Sequence, residues 1–340
     1  MSAGIAHGLP KAELHLHIEG TLEPELTFAL AERNRIALPF ASVEALRAAY
    51  AFSGLQSFLN LYYAAMAVLR TPEDFAELAD AYFRRARPQG VVHAEIFFDP
   101  QAHAARGVPF ETVIEGLWSV VRASEERYGI TARLIMCFVR DRSVGEAMTT
   151  LEAALPFGDR IVAVGLDSAE AGYPPSLFRD VFDRARANGW KTVAHAGEEG
   201  PPAYVWEALD VLRVARVDHG VRSLEDPRLV ARLRDERIPL TVCPLSNVKL
   251  HVVDRLADHP LGLMLEEQLL ATVNSDDPAY FGGYVADNYD AVAAALDFDA
   301  ETLVELARNS FEAAFLDPHS RAAYRAQLDA SAAALANRSA

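Results

Sequence analysis

Eight short apolar segments recur along the chain, each set apart from the next by a helix-like stretch. They read "AELHLHIEG", "VVHAEIFFDP", "TARLIMCFV", "IVAVGLDS", "KTVAHAGE", "ARVDHGV", "IPLTVCPLS" and "LATVNSDDP". Between them lie amphipathic stretches such as "PFETVIEGLWSVVRASEERYG" and "PPSLFRDVFDRARANG", the second stopped by Gly189 at the usual helix-end position. Strand–helix alternation implies a parallel sheet, and eight repeats suggest an α/β chain folded as a (β/α)8 TIM barrel. The structural rival is a doubly wound open sheet. That fold normally shows a glycine-rich phosphate turn after an early strand, and none occurs here. A length of 340 residues fits either two ordinary domains or one large barrel. The strand count favours one domain over residues 1–340.

The first crossover is too long for one helix. Residues 22–90 hold several helical patterns, including "PELTFALAERN", "SVEALRAAY", "LQSFLNLYYAAMAVL" and "PEDFAELADAYFRRA". An insertion after a barrel strand sits at the catalytic face, so this segment is expected near the mouth of the site. Its Phe58, Tyr62 and Tyr63 read as packing residues, with contact to a pocket as the alternative. The Ala-rich segment 318–340 reads as a peripheral C-terminal helix.

Composition narrows the partners. With 51% hydrophobic and 24% charged residues the chain resembles a globular protein with a substantial core. A formal charge of −16 argues against nucleic acid, because no basic surface offsets that field. A small neutral molecule remains admissible. Cys137 and Cys243 are the two cysteines, which excludes a disulfide framework and a four-cysteine zinc site. No apolar run reaches membrane-spanning length, and no apolar h-region of a signal peptide follows the first basic residue, Lys11, so a cytoplasmic protein is expected.

The polar residues fall at the strand ends. On the first strand, alternation points His15 and His17 to one side and Leu14, Leu16 and Ile18 to the other. The fifth strand ends in "AHAGEEG", the sixth in "VDHG" and the eighth in "NSDDP". In a barrel these ends converge on one mouth, which makes His15, His17, His195 and Asp276 neighbours despite their sequence separation. Three imidazoles and a carboxylate suit a borderline divalent ion, zinc first. Glu198, His219 and Asp277 lie beside these ligands and are not needed to hold a metal. A metal, a free carboxyl and a free imidazole form a hydrolytic set. Singly, the histidines could be hydrogen-bonded core residues, Asp277 a cap before Pro278 and Glu198 a solvated loop residue. Their coincidence at four strand ends favours chemistry.

In that order and spacing, "HLHIEGT", "HAGE", "DHG", "CPLSN" and "NSDDP" resemble the adenosine/adenine deaminase family of the amidohydrolase superfamily, from about Leu9 to Leu316. The resemblance implies hydrolysis of the exocyclic amine of a purine with release of ammonia. By position it implies one Zn2+ per chain held by His15, His17, His195 and Asp276. Glu198 would protonate purine N1, His219 would act on the attacking water, and Asp277 would hydrogen-bond N7. It further implies substrate contacts near Ser168, through backbone, and at Glu19, whose counterpart in many adenosine deaminases meets ribose. Binuclear relatives bridge two metals with a lysine after the fourth strand. Here that segment reads "VGLDSAE", which favours one ion. The other zinc deaminase class needs a P-C-x-x-C motif that two distant cysteines cannot supply. The segment "GLDSAEAGYPPS" resembles the adenine-specific branch, so adenine to hypoxanthine is the expected reaction. Adenosine, an N6-substituted purine and a non-catalytic zinc-binding module remain as alternatives.

Overall fold

The computed structural model describes residues 5–339, with side chains through residue 335. Eight strands appear where the apolar segments lie: β1 Lys11–His17, β2 Val91–Phe98, β3 Thr131–Val139, β4 Ile161–Asp167, β5 Lys191–Ala196, β6 Arg216–His219, β7 Leu240–Val242 and β8 Ala271–Val273. Each pairs in parallel with its sequence neighbours, in the order β1 to β8. The result is the expected (β/α)8 barrel.

The seam between β8 and β1 closes in an unusual way. Beyond the end of β8, Asp276 donates its N–H to His15 O at 3.0 Å and accepts from His17 N–H at 3.0 Å. Below it, the Asn274 side chain accepts the Leu14 N–H at 2.8 Å. Three expected metal-binding residues are therefore tied together by their own backbone, which fixes their spacing before any ion is considered.

The strands present two faces. Outward residues such as Ala94, Ile96 and Phe98 pack into the main apolar layer beneath the helices, whereas Phe97, Ile135, Cys137, Ala163 and Val193 form a separate cluster inside the barrel. In β1 a register shift between Glu13 and Leu16 adds a residue to the strand. It leaves Glu13 beside outward-facing Ala94, where Tyr82 Oη donates to it at 2.7 Å, while His15 and His17 face the lumen. Under the lumen cluster, Arg216 donates to Glu95 at 2.6 Å, both fully buried.

Residues 22–90 form helices Pro24–Asn34, Val43–Ala48, Leu55–Ala65 and Pro72–Ala86 with short 3-10 turns between them. Pro at N1 and the Thr71/Asp74 capping box start the last of these. The amphipathic stretch after β2 forms two helices, Phe110–Val121 and Ser124–Tyr128. The tail forms helix Pro318–Ser339, docked by buried Leu328 and by Tyr324 stacked on Phe311 at 5.6 Å. No helix among the described residues is long and apolar enough to cross a membrane.

Candidate active site

The C-terminal strand ends gather the residues that the sequence separates. His15 and His17 lie at the end of β1, His195 is the penultimate residue of β5, His219 ends β6, and Asp276 and Asp277 follow β8. His15 Nε2 is 3.4 Å from Asp276 Oδ1, His17 Nε2 is 3.6 Å from the same oxygen, and His17 Nε2 is 3.1 Å from His195 Nε2. His219 Nε2 is 3.9 Å from Asp276 Oδ2 and 3.5 Å from Glu198 Oε2. All of these side chains are buried.

The hydrogen bonds fix which atoms are free. Thr241 Oγ1 donates to Asp218 Oδ1 at 2.8 Å, so it accepts from His15 Nδ1 at 3.0 Å. His15 Nε2 then carries a lone pair, is buried without a hydrogen-bond partner, and faces a carboxylate oxygen. A lone pair opposite a carboxylate, with a second imidazole pair close by, fits a divalent cation and repels most other occupants. His15, His195, His219 and Asp276 each place one donor atom within 4.8 Å of the others, and His17 completes the group through Asp276 and His195.

Backbone geometry turns several of these groups inward. Along β6, Asp218 faces the lumen, so alternation would aim His219 outward. A positive φ of 61° at His219 and of 74° at Gly220 swings the ring back to the mouth. Asp276 (φ 63°) and Ser168 (φ 73°) share the left-handed conformation, which is uncommon away from glycine and concentrates at functional sites. Gly20 permits another approach: a Cβ there would lie 2.0 Å from Asp277 Oδ1.

Burial sets the protonation states. It pushes the Glu198 carboxyl well above the usual range, with the Asp276 charge adding to the effect. It pushes Asp277 up in the same way, again with Asp276 second. The His219 imidazole falls to about 3, burial first and His15 next, and is neutral at pH 7. For Asp276 burial opposes ionisation, yet the surrounding imidazoles hold its carboxyl well below the usual range. Burial and the Asp276 charge thus favour the neutral forms of the Glu198 and Asp277 carboxyls, beside an Asp276 carboxylate and a neutral His219.

A cavity opens over this cluster, and helix Leu55–Ala65 forms one wall of it. Leu55, Phe58, Leu59, Tyr62 and Tyr63 line it from one helix face, so these aromatics contact the pocket and are not packing residues alone. Ser168 lines the cavity too, its Oγ 3.0 Å from Tyr63 Oη and donating to Asp141 Oδ1 at 3.2 Å. Glu19 is placed elsewhere. It is fully buried behind the lining, where Oε1 accepts from the Asp99 N–H at 3.1 Å and pairs with His103 Nε2 at 2.7 Å.

Five further groups belong to the site. Asp99 ends β2 and Asp167 ends β4, both lining the cavity. "FFDP" and "GLDS" carry the same strand-end signal that singles out the histidines, so these two were within reach of the sequence. Asp218 Oδ2 lies 3.7 Å from His195 Nδ1, behind that ring. Glu170 gives no such signal, yet its carboxylate accepts the N–H groups of Gly197, Glu198, Glu199 and Gly200 at 2.7, 3.0, 2.9 and 2.8 Å. Arg140, beyond β3, completes the brace by donating to His195 O at 2.7 Å and twice to Tyr173 O.

The adenosine deaminase family model matches residues 10–331. A relative from Streptomyces coelicolor named adenine deaminase is 66% identical over 324 residues, 95% of each chain. The crystal structure of adenine deaminase from Arthrobacter aurescens superimposes with a TM-score of 0.93 at 52% identity, covering 94% of this chain and 98% of the other. An amidohydrolase from Burkholderia ambifaria solved with bound zinc gives 0.90 at 29% identity, over 98% and 93%.

Proposed function

The chain belongs to the adenosine deaminase family, and we propose that it hydrolyses adenine to hypoxanthine and ammonia at a site that holds one zinc ion. The observation that carries this reading is the buried Glu198 carboxyl, 3.5 Å from the neutral His219 imidazole and beside a cation-binding cluster. Relatives named adenine deaminase support the choice of purine.

His15, His17, His195 and Asp276 would hold the ion. Its chemistry there is to make a water acidic at neutral pH and to offset negative charge growing on oxygen. The remaining steps belong to side chains. Glu198, kept protonated by burial, donates to purine N1 and draws electron density from C6. His219 takes a proton from the water as its oxygen bonds to C6, then delivers it to the departing amine, which leaves as ammonia. The hydroxyl proton left on the adduct returns to Glu198, so the acid is restored and the ring keeps its N1 proton. Asp277, also neutral, donates to N7 and holds the ring in register. Helix Leu55–Ala65 screens the ring from bulk water, which strengthens each of these contacts.

Parallel initial-rate assays on adenine and adenosine with zinc-replete protein test the proposal. The expected kcat/KM for adenine exceeds that for adenosine by at least about a hundredfold. Equal or better turnover of adenosine overturns the adenine assignment.

A further inference from the structure

The proposed chemistry leaves one part of the cavity wall unused. Contacts at C6, N1 and N7 fix the purine plane, and the N3 and N9 edge must then face the polar lining that remains: Tyr62, Tyr63, Asp99, Asp167 and Ser168. Most of these have other engagements. Tyr63 and Ser168 pair with each other, and Ser168 also donates to Asp141. Both Asp167 oxygens are buried without a hydrogen-bond partner, but Oδ2 lies 3.6 Å from His17 Nδ1, on the metal-ligand side of the cavity.

Asp99 differs. Its carboxyl lies against that of Asp167, its Oδ2 has one long contact from Tyr62 Oη at 3.5 Å, and its Oδ1 is buried with no hydrogen-bond donor on it. The residue starts the short helix Pro100–Ala104, yet its side chain makes no cap bond there. Its backbone is held, because the N–H donates to Glu19, which is itself paired with His103. A fixed backbone carrying an unused carboxylate oxygen into a ligand cavity is an arrangement for accepting a hydrogen bond from the ligand.

Resting on the reading of this site as a purine deaminase, we propose that Asp99 accepts the N9–H of the free base and so is a specificity-determining residue. A free purine has a donor at N9. A nucleoside has a glycosidic carbon there, which removes the donor, leaves Oδ1 unpaired and drives the sugar toward the wall formed by Asp99, Glu19 and His103. Glu19 thereby acts behind Asp99 as a positioning residue.

The test compares adenine with 9-methyladenine, which lacks only the N9–H and adds one methyl. In Asp99→Ser, kcat/KM for adenine is expected to fall roughly 10- to 150-fold, mostly through KM, while that for 9-methyladenine stays level or rises. Asp99→Asn, which keeps an acceptor oxygen of the same shape, is expected to retain most of the preference and guards against a folding defect. Equal losses on both substrates would mean a structural role and overturn the proposal. So would a second metal equivalent in the wild type that disappears in both variants, since the Asp99, Asp167 and His17 donor atoms lie within 4.8 Å of one another. Calorimetric titration with purine and 9-methylpurine reads the same N9–H contact without turnover. A wild type that fails to deaminate adenine therefore refutes the functional reading, whereas equal affinity for the two purines in wild type and Asp99→Ser refutes this one.

Discussion

His17 Nε2 and His195 Nε2 face each other at 3.1 Å inside the barrel mouth. A neutral pair could share a proton there, but that proton leaves His15 Nε2 buried without a partner, 3.4 Å from Asp276 Oδ1. One divalent cation answers both at once. The protein is expected to carry about one zinc per chain by elemental analysis, and His17→Ala to lose metal and activity together. Chelation should abolish turnover, and one equivalent of zinc should restore it. Two equivalents, both required, would contradict the mononuclear site.

Glu198→Gln should keep its zinc and lose turnover by at least about 10²- to 10⁴-fold, because the amide cannot deliver a proton to N1. The pH profile carries a signed expectation. Burial raises the Glu198 carboxyl, so the active, protonated form persists above the usual carboxylate range and is lost as pH rises through the raised value. The wild-type rate should therefore fall on an alkaline limb that is missing from the residual activity of Glu198→Gln. An unchanged alkaline limb in the variant removes Glu198 from the acid role.

The Glu170 carboxylate is the anchor of the loop that carries Glu198, and it works through four backbone N–H groups. Glu170→Ala leaves those buried donors unpaired and should cost at least about 2 kcal/mol, roughly 3 °C in Tm for a chain of this size. Zinc content should hold while kcat falls more than KM rises. Glu170→Gln should not rescue, since its amide turns two donors toward other donors. Gly200→Ala should reproduce the defect, because its Cβ would meet Glu170 Oε1 at 2.4 Å. A normal kcat in both variants sinks the positioning role.

The strands and the mouth were legible because each carries a local signal: an apolar run, then a polar residue where the run should continue. His15, His195 and Asp276 follow from that pattern alone. Glu170 did not, because its partners are main-chain amides about 30 residues away and nothing in "SAEAG" announces them. Phe58, Tyr62 and Tyr63 share one helix face, but periodicity does not say whether that face meets core or cavity. The inward swing of His219 depends on a backbone torsion that its residue type disfavours, so strand alternation by itself aims it the wrong way. Glu19 is set behind the lining by His103, a partner 84 residues distant.

Acid stability offers a test that is independent of catalysis, at the opposite end of the lumen. Glu95 and Arg216 are paired at 2.6 Å with no solvent contact. Burial alone would raise the Glu95 carboxyl, yet the Arg216 charge, helped by His93, brings it down to about 2. A depressed carboxyl contributes stability above its unfolded value, near 4.5, and that contribution is lost as pH falls toward 2. The difference corresponds to about 3 kcal/mol. Glu95→Gln should cost about 3–5 kcal/mol at pH 7, because Arg216 is left as a buried cation without its counterion. Urea midpoints measured from pH 7 downward should converge for wild type and variant between about pH 4.5 and 2, as the wild type loses what the variant already lacks. Adding Arg216→Met should recover part of the neutral-pH loss by removing the stranded charge. Parallel curves, with no convergence, would mean that the pair contributes nothing titratable to the fold.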